Sequence, residues 1–199
     1  MTAIVDYSAG NARSVGWALD RLGAPHMLTA DGDALRAADR VILPGVGAAG
    51  SAMAALRARG LADVLRALDA PLLGVCLGLQ LLYERSEEDD TVGLGLFPGA
   101  VRHFPDAGVP VPHTGWNTLA PVGADAFSDP LLSGVAPGAY AYFVHSYAAP
   151  VGPETVATTT YAGRTFGAAV AAGRVRATQF HPEKSAAVGS AVLGAFLRL

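Results

Sequence analysis

A single cysteine sits at the centre of the heptapeptide Gly74-Val75-Cys76-Leu77-Gly78-Leu79-Gln80, with a glycine two residues before it and another two residues after. The apolar run Pro71-Leu72-Leu73-Gly74-Val75 leads in, and the helix-capable run Leu79-Gln80-Leu81-Leu82-Tyr83-Glu84 leads out. This is the layout of a strand, a nucleophile on a sharp turn and a helix. The chain doubles back at such an elbow, so the flanking positions must be small and the turning residue is strained. The helix that follows aims its free N–H groups and positive dipole end at the sulfur, which favours the thiolate. A lone cysteine is more commonly an inert, buried small hydrophobe. A filler residue, however, needs no glycine on either side.

The rest of the chain tells what kind of sheet this elbow belongs to. Residues 3–7 read as an opening strand, and Asn11 as the cap of a helix to about Leu22, closed by Gly23 and Pro25. Strands follow at 25–29 and 40–43, the latter running into Pro44-Gly45-Val46-Gly47. An Ala-rich stretch over 50–68 reads as helix interrupted at Gly60. The strand to Val75, the elbow and a helix to about Arg85 complete the first half, and residues 86–90 read as a solvated loop. Alternating strands and helices predict an α/β fold: a mostly parallel central sheet with helices on both faces, its chemistry at the carboxyl ends of the strands. After Gly93 the texture becomes β-rich, with strand-like segments at 101–104, 114–119, 139–144, 155–160, 165–171 and 174–180. A helix returns at 187–198. No repeat or linker divides the chain, so one domain over residues 1–199 is expected.

Composition removes several function classes. Half of the 199 residues are hydrophobic and 16% are charged, a globular balance. The net charge of −3, without a Lys/Arg cluster, argues against nucleic-acid binding. One cysteine allows no internal disulfide. The N-terminus has no basic segment followed by a long apolar one, and no uncharged run is long enough to span a bilayer, so a cytoplasmic location is expected. No Gly-Lys-Ser/Thr phosphate loop is present, and the histidines lack metal-ligand spacing; neither a metal nor a cofactor is expected.

A thiol nucleophile needs a base. Of His26, His103, His113, His145 and His181, the last has the most suggestive neighbourhood, Phe180-His181-Pro182-Glu183, after a strand and before the final helix. With Pro182 holding the chain extended, Glu183 lies on the same side as His181 and can orient its ring. An isolated His-Pro-Glu is more commonly a surface pair beside a turn. The glycine-rich residues 44–47, also ending a strand, offer peptide N–H groups for an oxyanion, together with that of Leu77; alone they are equally an ordinary turn. Trp116, Tyr140, Tyr142 and Tyr147 read as packing residues, and Lys184 as a surface charge.

The order Cys76…His181-Pro182-Glu183, downstream of a glycine-rich oxyanion loop, resembles the class I (triad) glutamine amidotransferase family, whose fold is flavodoxin-like. Further segments extend the likeness from residue 3 to 199. They are Asp6-Tyr7-Ser8-Ala9-Gly10-Asn11-Ala12-Arg13-Ser14-Val15, Pro112-His113-Thr114-Gly115-Trp116-Asn117, Tyr142-Phe143-Val144-His145-Ser146-Tyr147 and Phe180-His181-Pro182-Glu183-Lys184-Ser185. Together they are similar to one branch, the glutaminase subunits of imidazole glycerol phosphate synthases, enzymes of histidine biosynthesis. Leu79 and Thr114 stand where methionines are usual there, Ser8-Ala9 replaces Gly-Met, and Ala12 replaces leucine.

The resemblance implies Cys76, His181 and Glu183 as catalytic residues, Val46 and Leu77 as oxyanion donors, and Gly45, Gln80, Ser146 and Tyr147 as glutamine contacts. It implies Asn11, Trp116 and Lys184 at the interface with a (β/α)₈-barrel cyclase subunit that receives the ammonia in a heterodimer. It also suggests that the partner reorients the 44–47 loop, whose glycines permit a peptide flip. Three other readings share parts of this pattern: a glutaminase serving purine, anthranilate or pyridoxal phosphate synthesis, a non-catalytic binding relative, and a cysteine hydrolase or stress protein with a similar elbow.

Overall fold

The structure, a computed structural model, describes residues 1–7, 11–123 and 126–199. Its elements in chain order are β1 (Thr2–Val5), α1 (Ala12–Arg21), β2 (His26–Thr29), α2 (Gly32–Arg36), β3 (Arg40–Gly45), α3 (Ala49–Ala58), α4 (Leu61–Arg66), β4 (Leu72–Cys76) and α5 (Leu77–Leu81). Then come β5 (Tyr83–Ser86), β6 (Thr91–Val92), β7 (Phe97–His103), β8 (His113–Thr118), β9 (Ala120–Pro121), β10 (Tyr140–His145) and β11 (Tyr147–Ala148). The chain closes with β12 (Thr155–Tyr161), β13 (Arg164–Ala172), β14 (Val175–Thr178) and α6 (Ala186–Phe196).

Eight strands form the main sheet in the order β2-β1-β3-β4-β14-β13-β12-β9. The pairings among β2, β1, β3, β4 and β14 are all parallel, and those joining β13, β12 and β9 are antiparallel. The parallel part follows from side-chain alternation. In β1, Ala3 and Val5 enter one buried cluster and Ile4 the other; in β3, Val41 and Leu43 oppose Ile42. Successive side chains of a strand point to opposite faces, so strands that are apolar throughout must be covered twice. Met53, Leu56 and Leu65, from α3 and α4, cover one face; Val15, Leu19, Leu193 and Phe196, from α1 and α6, cover the other.

The β-rich second half is therefore not only an addition to the sheet: β12, β13 and β14 are part of it. Two smaller sheets, β10-β8 and β11-β7-β5-β6, supply the remaining strands.

Three expectations need correction here. Asn11 occupies the cap position of α1, and its backbone oxygen accepts from Ser14 and Val15 N–H, but its side chain makes no capping bond. The elbow helix ends at Leu81 rather than near Arg85, because the carbonyls of residues 81–83 are taken by amides of residues 94–97, which turns residues 83–86 into strand β5. Residues 86–90 are not a solvated loop throughout. Ser86 is buried, and Glu88 accepts from the Ala49 N–H at 2.7 Å, at the start of α3. Ser8, Ala9 and Gly10 of the N-terminal segment lie outside the described residues.

Candidate active site

The parallel strands end at one place. Gly45 is the register partner of Cys76 across β3 and β4, and β14 runs parallel beside β4 and ends three residues before His181. Cys76 has φ 55° and ψ −111°, a conformation that costs a non-glycine residue roughly 1–3 kcal/mol and persists only where its surroundings hold it. The glycines provide that surrounding. A Cβ on Gly78 would lie 2.0 Å from the Leu43 oxygen, and one on Gly45 would lie 2.5 Å from the Gly78 nitrogen. Both glycines thus allow β3 to press against the first turn of α5. Gly45 owes its identity to that contact, and it is not among the described residues lining the cavity beside Cys76.

His181 is buried, and its Nδ1 lies 2.8 Å from Oε1 of Glu183, itself buried at the side chain. The pair does not form in extended chain, as the sequence suggests. Pro182–Lys184 is a 3-10 turn, with proline at its first position and the Lys184 N–H bonded to the His181 carbonyl at 3.0 Å. The ring fixes φ at a helical value and the missing N–H has no partner to lose there, so proline starts the turn readily. The His181 backbone is anchored to β10: its N–H donates to the Tyr142 carbonyl at 2.9 Å, and the Ser185 hydroxyl donates to its carbonyl at 2.7 Å. The Asn11 amide donates to the same Glu183 oxygen at 3.4 Å.

Burial alone draws an imidazole toward its neutral form. At His181 the combined pull of Cys76 and Glu183 outweighs it, and the pKa is pushed up to about 10. Nδ1–H faces the carboxylate, and Nε2 has no hydrogen-bond partner among the described residues. A ring held this way can carry a proton at Nε2 and give it up to a reacting group.

Cys76 and His181 line one cavity of about 260 Å³. Val46, Gly47 and Leu77 border it beside the elbow, and Ser146, Tyr147 and Gln80 border it as well. Gln80 sits on α5 four residues after Cys76, and both line the cavity. Its Nε2 donates to the Tyr147 carbonyl at 2.8 Å and to Gln179 Oε1 at 3.1 Å. Glu88 is the one carboxylate on the cavity wall among the described residues, and burial raises its pKa against the opposing pull of the Ala49 N–H.

Two contributors had little signal in the sequence. Gln179 is fully buried and its amide nitrogen lies 3.8 Å from the Cys76 sulfur; its place two residues before His181 was the available sign. Glu88 was hidden in an acidic run.

The three expected interface residues lie near Glu183. Trp116 and Lys184 border the same shallow groove as Glu183, the Lys184 ammonium stands 5.7 Å from the Tyr142 ring, and Asn11 reaches Glu183 directly. Trp116 and Tyr140 are more than half exposed, so their expected packing role does not hold. Among the described residues no group of three or more His, Cys, Asp or Glu is placed to hold a metal ion. No described helix is long and apolar enough to cross a membrane.

Comparison with known proteins puts this geometry in a family context. Residues 6–197 match the model of the glutamine amidotransferase class-I family. The chain is 50% identical over 198 residues to the imidazole glycerol phosphate synthase subunit HisH of Xanthomonas axonopodis pv. citri (strain 306), covering 99% of this chain and 96% of that one. It is 42% identical over 203 residues to the subunit of that name from Shewanella sediminis (strain HAW-EB3), covering 100% and 90%. Among solved structures, a glutamine amidotransferase superposes with a TM-score of 0.74 at 20% identity, over 98% of this chain and 97% of the other. The acivicin-bound glutaminase domain of Trypanosoma brucei CTPS superposes with a TM-score of 0.65 at 18% identity, over 99% and 93%. These two likenesses concern the fold.

Proposed function

The chain belongs to the class I glutamine amidotransferases, in the branch of the imidazole glycerol phosphate synthase subunits that act in histidine biosynthesis, and we propose that it hydrolyses glutamine through Cys76, His181 and Glu183. One observation carries the residue assignment. Cys76 and His181 border the same cavity, and the Nδ1 of His181 is held 2.8 Å from a buried carboxylate.

The reaction this supports begins with the Cys76 thiolate paired with the His181 imidazolium. The sulfur attacks the side-chain amide carbon of glutamine, and the carbonyl electrons move to oxygen. The oxyanion is held by the Leu77 N–H and by the peptide N–H of Val46. The C–N bond then breaks as His181 Nε2 gives its proton to the leaving nitrogen, releasing ammonia and leaving a thioester. The neutral ring takes a proton from water, the water oxygen attacks the thioester carbon, and the C–S bond breaks to regenerate the thiolate and release glutamate. Glu183 orients the ring in both states and supports the imidazolium when it forms.

Gln80 and the Ser146–Tyr147 backbone border the space where glutamine would lie, and Glu88 is the group suited to its α-ammonium. On this reading the ammonia passes to a cyclase subunit of (β/α)₈-barrel form, docked on the side marked by Asn11, Trp116 and Lys184. That partner reorients the 44–47 loop, and the whole chain acts as one domain in the cytoplasm.

The test is glutamate release by the full chain with and without the cyclase subunit and its ligand. The parent is expected to be active with them, and Cys76→Ala to lose at least ~10³-fold. Equal activity of Cys76→Ala and parent would end this reading.

A further inference from the structure

Outside the Cys76–His181–Glu183 group, two further histidines are buried against the same site. His113 on β8 and His145 on β10 are direct register partners in the antiparallel pair, and His145 lines the cavity. Their rings meet edge-on, 5.2 Å between centroids and 63° between planes. His113 is stacked between Tyr161, at 4.0 Å between centroids, and Phe143, at 5.1 Å.

Their hydrogen bonds run in one direction. The Tyr147 carbonyl only accepts, so His145 Nδ1, 2.7 Å away, carries the proton. In a neutral ring Nε2 is then an acceptor, and it receives His113 Nδ1–H at 3.1 Å. His113 Nε2 is left as an acceptor, 3.4 Å from the amide nitrogen of Asn117, which only donates. The assignment reached from the carbonyl end thus agrees with that required at the amide end. A second proton on His145 would set two N–H groups facing each other. Burial holds both rings neutral: it draws His113 down to about 4, and it draws His145 down to about 3 with help from the nearby His113 and His181.

The chain ends on working parts of the cavity. The Tyr147 carbonyl that accepts from His145 also accepts from Gln80 Nε2, and Gln80 Nε2 donates on to Gln179, whose amide nitrogen approaches the Cys76 sulfur. We propose that His113 and His145 are positioning residues for the glutaminase reaction. Their ordered hydrogen bonds set the Tyr147 carbonyl, and through it the Ser146–Tyr147 backbone and the Gln80 amide, for glutamine. Neither ring is placed as the base; both act through the substrate cradle. The inference rests on the reading of this cavity as the glutamine site.

A purely packing role makes a different prediction. The same rings belong to an aromatic cluster with Phe104, Phe143 and Phe166, and an apolar replacement of similar size would then serve. The deciding experiment measures glutamine KM and kcat for the full chain with the cyclase subunit present. His145→Leu, which removes the donor, is expected to raise KM about tenfold with kcat within about threefold. His145→Asn, which keeps a donor near the Nδ1 position, is expected to restore KM to within about threefold of the parent. Alkylation of Cys76 by iodoacetamide, which needs no glutamine recognition, is expected to proceed at the parent rate in both.

A His145→Leu protein with KM within about threefold of the parent overturns the proposal. So does a loss confined to kcat, a His145→Asn protein as impaired as His145→Leu, or slowed iodoacetamide alkylation in either variant. If His145→Leu fails to fold, His113→Leu and His113→Asn are read by the same criteria. An inactive Cys76→Ala beside an unaltered His145→Leu removes this inference alone. A fully active Cys76→Ala removes the proposed function itself.

Discussion

Two pairs of buried side chains built on histidine meet at one cavity, and the same burial leaves them in opposite states. His181 faces a carboxylate and a thiol, and is pushed up to about 10. His113 and His145 face each other, a carbonyl and an amide, and are drawn down to about 4 and about 3. Desolvation disfavours the charged ring in every case; partners of opposite charge decide whether it prevails. On the proposed reading the first pair holds and passes a proton, while the second keeps its protons in fixed places. Proximity to the Cys76 sulfur therefore does not by itself suit a histidine to act as a base.

The comparison can be broken from either side. Glu183→Gln keeps the shape of the first pair and removes its charge, making His181 more like His145. Glutaminase activity is expected to fall by about 10²-fold, and the His181 pKa, followed by NMR titration, to come down from its raised value. The parent's raised His181 stabilises the fold fully below about pH 6.5, and that contribution fades as pH rises from 6.5 through about 10. In Glu183→Gln this alkaline loss of stability is expected to shrink, as read from denaturation midpoints across that range. An unchanged His181 pKa would contradict the assigned cause.

The smaller expected effect lies on the acid side. His113 and His145 bind protons more weakly folded than unfolded, so they leave stability untouched well above pH 6.5 and reduce it as pH falls from 6.5 toward 3. The double variant His113→Asn, His145→Asn is expected to flatten that part of the curve while leaving the alkaline part alone. An acid limb as steep as the parent's would mean that these rings are not held neutral.

Much of the first pair could be read from the chain itself. Gly74 and Gly78 mark a turn where no Cβ fits, and in β1 and β3 neighbouring apolar residues face opposite sides, which announces a sheet covered twice. His181 and Glu183 are two residues apart, so their contact is local, although it is made in a 3-10 turn rather than in extended chain. The second pair was hidden because His113 and His145 are 32 residues apart and meet only through the β8–β10 register. Glu88 looked like part of a solvated acidic run until α3 and the cavity were placed beside it. Asn11 looked like a cap, but its amide turns to Glu183, a partner 172 residues away that local spacing does not reveal. What propensity misses here is long-range pairing that commits a polar side chain to a partner far along the chain.

The most direct test of the account is covalent trapping of the full chain, with the cyclase subunit present, by acivicin, followed by mass measurement of the intact protein and its peptides. Cys76 is the only thiol, so the informative variable is protection by substrate. The account predicts one adduct per chain, on the peptide bearing Cys76, suppressed by excess glutamine. No adduct, or one that glutamine leaves unaffected, would contradict Cys76 as the nucleophile of a glutamine site.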